Sequence, residues 1–178
     1  MRSLVFSLVV LAVSLSQAMT KEGVTFNDTL TYNDQKLVLN GLGVREATVL
    51  KLNVYVAGLY LNEKTKDASK IINSSESKVI KMEFVRDVTA DKINGAWDEA
   101  LKGKGFDEEL GILKKAMKDV KEKDQMMYTF APAGASFFIN KEKLASFKNP
   151  EFNKALLAVW LGPKPPNEVL KSGMLGIE

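Results

Sequence analysis

Residues 39–61 read LNGLGVREATVLKLNVYVAGLYL, and their reading decides the fold. Leu50, Leu52, Val54 and Val56 fall on one face at a period of two, with Lys51, Asn53, Tyr55 and Ala57 on the other. That alternation is the mark of a strand with two different environments. Just before it, Gly41-Leu42-Gly43 supplies two permissive backbone positions, which predict a bulge or a close backbone approach. Glu46-Ala47-Thr48 is then the expected bend between two paired strands.

Working outward, Val24 to Tyr32 alternates loosely as a strand, Asn33-Asp34 signals a turn, and Lys36 to Asn40 follows as a second strand. On the other side, polar residues 62–77 hold one short helix around Asp67 to Ile72, and Val79 to Val85 alternates again. Thr89 is placed to cap a helix with Asp91 in its first turn. A second helix starts at Asp107, where Phe106, Leu110, Leu113, Met117 and Val120 repeat at steps of four and three. Met126–Phe130 and Ala135–Ile139 form a hairpin around Pro132-Ala133-Gly134, and a turn at 140–143 leads to another short strand. Asn149-Pro150 opens a helix whose stripe is Phe152, Leu156, Val159 and Trp160, closed by Gly162-Pro163. Asn167 starts a last short helix running into Gly173. Strands, two helices, strands and a helix in that order predict an α+β fold, a mainly antiparallel sheet covered by helices on one face.

The N-terminus has another character. Arg2 precedes an almost wholly apolar run from Leu4 to Leu15, and Ser16-Gln17-Ala18 ends it with small residues at the cleavage positions. This is the layout of a signal peptide over residues 1–18, too short for a comfortable membrane span of about 20 residues. One domain over 19–178 is therefore expected in the periplasm or outside the cell, without stable membrane insertion and as a monomer.

Composition removes whole classes of function. The chain has 178 residues, 25 basic against 22 acidic, and neither Cys nor His. A formal charge of +3, or +2 once Arg2 is lost, with scattered lysines, argues against nucleic acid as partner. Without Cys the exported domain must be held by its core. Without His or Cys there is no catalytic triad, no ordinary zinc site and no haem axial histidine, so no metal or cofactor is expected. Gly41-Leu42-Gly43 lacks the third glycine and the following helix of a dinucleotide fingerprint. Trp97, Phe106, Met117 and Trp160 read as core.

Leu39–Arg45 and Val54–Leu61, with Phe152–Leu157, Val159–Gly162 and Leu175-Gly176 near the C-terminus, resemble the chalcone isomerase-like family. The resemblance covers most of residues 24–176. It implies an open-faced β-sandwich with a cleft between sheet and helices, and an arginine facing that cleft after the glycine-rich turn. That position is Arg45. The family's fatty-acid binders use an Arg–Tyr pair, which points to Tyr55 as the partner, with Asn53 on the same strand face. The isomerases carry a tyrosine and an asparagine on the next strand-to-helix segment. Here Thr89 and Ala96 stand there, and Asn94 is two positions off, about 200° around a helix.

A guanidinium stays charged and grips a carboxylate through two parallel hydrogen bonds. The candidate ligand site is therefore Arg45, Tyr55, Asn53 and Thr89, and the expected ligand is a fatty acid or a similar small apolar anion. The alternatives are an isomerase or intramolecular lyase acting on a phenolic or enone substrate, and an interaction protein with a collapsed cleft.

Overall fold

The computed structural model describes residues 18–47 and 51–177. Most of the leader sequence, Thr48 of the expected bend and Leu50 of the alternating face lie outside the described residues. Among the described residues, nine strands and five helices follow in chain order: β1 (Ala18–Lys21), β2 (Val24–Asn27), β3 (Thr29–Tyr32), β4 (Gln35–Ala47), β5 (Leu52–Leu61), α1 (Ala68–Asn73), β6 (Lys78–Phe84), α2 (Ala90–Leu101), α3 (Asp107–Ala116), β7 (Gln125–Ala131), β8 (Gly134–Ile139), β9 (Glu142–Phe147), α4 (Pro150–Leu161) and α5 (Glu168–Met174).

Strands β3 to β9 form one sheet in sequence order, each antiparallel to the next, and β1 and β2 form a separate hairpin. The α+β reading holds. The stretch expected as one strand from Val24 to Tyr32 divides at Asp28. Its first half pairs with β1 and its second half with β4, because the chain passes there from the small hairpin to the main sheet. The Asn33-Asp34 turn is as expected, with both residues at positive φ, the requirement of a tight hairpin.

The two faces of the sheet bury different things. One face carries Ala57, Leu59, Ile80, Met82, Phe84, Tyr128 and Phe137, packed under the helices through Trp97, Leu110, Leu113, Leu156 and Trp160. The other carries Leu37, Leu39, Leu42, Val44, Val56, Tyr60 and Val79, covered by Val24 and Phe26 of the β1–β2 hairpin. Each fully buried aliphatic or aromatic side chain contributes about 1.5–3 kcal/mol.

The helix ends show which local signals held. Asn149 caps α4 by accepting from the backbone N–H groups of Glu151 and Phe152. Asp67 caps α1 by accepting from that of Lys70. Thr89 occupies the N-cap of α2, yet its side chain makes no capping bond. Helix α3 stops at Ala116, one step before Met117. The apolar period continues because Val120 forms a bridge with Val88, so its burial comes from strand-like pairing.

Candidate functional site

The glycine pair positions the site. Strand β4 slips register between Leu39 and Gly41. A side chain on Gly41 would run into the carbonyl of Gly173, and one on Gly43 into that of Leu170. Both predicted features, the bulge and the close approach, are therefore present, and they let α5 lie directly on the sheet. Asn40, buried, fixes the same junction: its amide donates to the Met174 carbonyl at 2.8 Å and accepts from the Thr65 N–H at 2.8 Å. Asn167, at the start of α5, donates to the Val44 carbonyl at 3.2 Å.

Two residues past Gly43, on the same face of β4, stands Arg45. Its partner across the ladder is Tyr55 of β5. Directly opposed residues of an antiparallel pair set their side chains side by side. Tyr55 packs edge-on against Phe84, ring centroids 5.5 Å apart, and its hydroxyl accepts from Trp160 Nε1 at 3.3 Å. The half-buried Arg45 donates from Nη1 to the Glu46 carbonyl. Lys114, Lys118, Lys121 and Lys154 make ion pairs, and among the described residues no carboxylate pairs with Arg45.

Burial pushes the Tyr55 hydroxyl up to about 12, while the Trp160 hydrogen bond and the Arg45 charge pull the other way. The phenol therefore keeps its proton at neutral pH. It accepts from Trp160 and still has an O–H to give, so the pair offers an anion one cation and one neutral donor.

The structure does not bring the other two expected residues to this place. Asn53 donates to Glu22 at 2.7 Å, in the turn of the β1–β2 hairpin. The reason is a second register slip: Arg45 pairs with Tyr55 but Glu46 with Asn53, leaving Val54 as an extra residue. The bulge reverses the alternation, so Asn53 does not share the face of Tyr55. Thr89 is exposed at the start of α2, and Ala96 is exposed as well. Asn94 donates to the Lys114 carbonyl at 3.4 Å.

Aromatic rings fill the space under the helices. Trp160 lies 5.5 Å from Trp97 and 5.0 Å from Tyr128, and Tyr128 stacks on Phe137 at 4.9 Å. Trp97, Phe106, Met117 and Trp160 all belong to that packing, as the sequence suggested. Two surface hollows lie elsewhere. One of about 630 Å³ is bordered by Lys21, Asn40, Lys64 and Leu175. Another of about 160 Å³ lies beside Lys78, Asn153 and Leu157. Three residues went unremarked or undervalued in the sequence. Arg86, two residues past the Phe84 that pairs with Tyr55, keeps its Nε buried without a partner, and so do Tyr128 with its hydroxyl and Trp97 with its indole N–H. Only the period-two relation of Arg86 to Phe84 was available in the sequence to flag the first.

Three comparisons bear on the whole chain. A family model described as chalcone isomerase-like matches residues 18–176. The crystal structure of the Arabidopsis thaliana fatty-acid binding protein AtFAP1 is similar at a TM-score of 0.74 and 15% identity, covering 89% of this chain and 96% of that one. At that identity the likeness speaks for the fold. No curated protein matches the sequence.

Proposed function

The chain belongs to the chalcone isomerase-like family, and on that premise we propose that it is an exported binding protein for a fatty acid or a similar small apolar carboxylate. The observation that carries this reading is Arg45, set opposite Tyr55 on the helix-covered face and without a carboxylate partner among the described residues. A half-buried guanidinium without a counter-ion is costly unless an anion meets it. The protonated Tyr55 hydroxyl supplies a second donor to the same head group. The printed role of AtFAP1, fatty-acid binding, agrees with this chemistry.

The alkyl part belongs under α2 and α4, and it enters by displacing aromatic packing around Trp160. Each methylene it buries contributes about 0.8 kcal/mol. Catalysis of the isomerase kind has less support: Thr89 and Ala96 offer no tyrosine or asparagine to order water and stabilise a developing negative charge. Export rests on the pattern of residues 1–18. Ala18 is the exposed first residue of β1, so cleavage after it would leave three residues of that strand.

Native mass spectrometry of unboiled protein from its own cells tests the reading. The wild type is expected to carry a co-purifying carboxylate on a chain that begins at Met19, and Arg45→Ala is expected to carry none. The same lipid on both proteins would refute the head-group assignment. A bare wild type that no added fatty acid stabilises would favour the interaction-protein reading, for which the close aromatic packing is the supporting observation.

A further inference from the structure

The aromatic layer beneath the helices is not uniformly apolar. Tyr128 is 1% exposed and Trp97 is 5% exposed, yet the hydroxyl of the first and the indole N–H of the second have no hydrogen-bond partner. Their rings lie 5.8 Å apart. Both also touch Trp160, at 5.0 and 5.5 Å, and Trp160 is the residue that donates to the Tyr55 hydroxyl. The two orphan donors and the proposed head-group tyrosine are therefore joined through one indole.

A buried donor left unmade costs about 1–3 kcal/mol, and two in one layer are a heavy charge on a small domain. A site that received only an alkyl chain would be better served by Phe at both positions. An indole N–H can only donate. What satisfies it must therefore bring an acceptor, and the Tyr128 hydroxyl, on the ring packed against that indole, can donate to a group of the same kind.

Resting on the carboxylate reading above, we propose that the ligand carries a second oxygen on its apolar body, as in an oxo- or hydroxy-substituted fatty acid, and that Trp97 and Tyr128 select it. The carboxylate meets Arg45 and Tyr55, and the mid-chain oxygen accepts from Tyr128 and Trp97. Selectivity of this kind is strong when a site's polar groups are left unpaired by the analogue that lacks the oxygen.

The test is a titration of the full mature chain with dodecanoate and with a positional series of mid-chain oxo-dodecanoates, on the wild type, Tyr128→Phe, Trp97→Phe and Arg45→Ala. The best oxo compound is expected to bind the wild type about tenfold more tightly than dodecanoate, which corresponds to about 1.4 kcal/mol. The ratio should fall towards one in Tyr128→Phe and in Trp97→Phe. Equal affinities for all ligands on the wild type, lost together in Arg45→Ala, would overturn the selectivity and leave the head-group reading standing. A preference that survives both aromatic substitutions would overturn it as well. Failure of every ligand to bind the wild type would remove the head-group reading and this inference with it. The wild-type comparison needs no variant, so a substitution that fails to fold cannot shelter the proposal.

Discussion

Tyr60 and Tyr128 are buried to nearly the same degree on opposite faces of one sheet, at 2% and 1% exposure. The Tyr60 hydroxyl donates to the Asn27 carbonyl at 2.9 Å, tying the main sheet to the β1–β2 hairpin. The Tyr128 hydroxyl has no hydrogen-bond partner. On the hairpin face the Tyr60 hydroxyl is satisfied, but that of Thr129, which pairs with Val79 and is 0% exposed, has no hydrogen-bond partner. The helix face likewise keeps the Tyr128 hydroxyl and the Trp97 indole N–H without hydrogen-bond partners. On the helix face the unpartnered groups lie in an aromatic layer that reaches the Arg45–Tyr55 pair through Trp160, and that link is what distinguishes them from Thr129.

The largest effect expected from this contrast is on the hairpin face. Phe26→Ala removes a side chain that is 3% exposed and packs among Leu39, Val44 and Tyr60 in the second core. It should cost about 3–5 kcal/mol of stability in urea denaturation, with carboxylate affinity unchanged wherever the variant is folded. A loss of affinity in step with stability would show that the two faces are not separate.

A smaller effect sharpens the comparison between the tyrosines themselves. Tyr60→Phe strands the Asn27 carbonyl and should cost about 1–2 kcal/mol, whereas Tyr128→Phe removes an unpaired hydroxyl and should be neutral or slightly stabilising. Alkaline pH offers a second reading of the same pair. Burial raises Tyr60 to about 12 and raises Tyr128 as well. Their folded-state values lie above the unfolded value near 10. Their contribution is therefore intact below about pH 10 and is lost as the pH climbs through the folded values. Lys78, lowered by burial, acts in the opposite sense below its own unfolded value near 10.4. Above that point the urea midpoint of the wild type should fall, and it should fall less steeply in Tyr128→Phe. Identical slopes would contradict the assigned burial of that hydroxyl.

Much of this was legible in the sequence wherever the cause was local. The Asn149-Pro150 helix start and the Gly41/Gly43 pair each state a backbone requirement in their own residues, whereas the expected face of Leu52, Val54 and Val56 is broken by the bulge, which leaves Val54 on the helix side and Val56 on the hairpin side. Arg45 was singled out through the family resemblance, in which an arginine follows the glycine-rich turn. Asn53 could not be placed, because the Val54 bulge that turns it towards Glu22 depends on the register of two strands. The break at Asp28 is of the same kind: the alternation of Val24 to Tyr32 does not say that its halves join different sheets. The missing partners of Trp97 and Tyr128 are still less visible, since an unmade hydrogen bond depends on every neighbour packed around it. Sequence identified both tryptophans as core and could not show that one of them keeps an unused donor.

The central claim is that the Arg45 guanidinium holds a carboxylate, and the most direct measurement compares dodecanoate with dodecan-1-ol on the wild type and on Arg45→Ala. Hydrogen bonds to charged groups are worth about 1.5–3 kcal/mol, so the wild type should prefer the acid by about tenfold or more, and Arg45→Ala should bind the two alike. An equal preference for the acid in both proteins, or none in the wild type, would contradict the account.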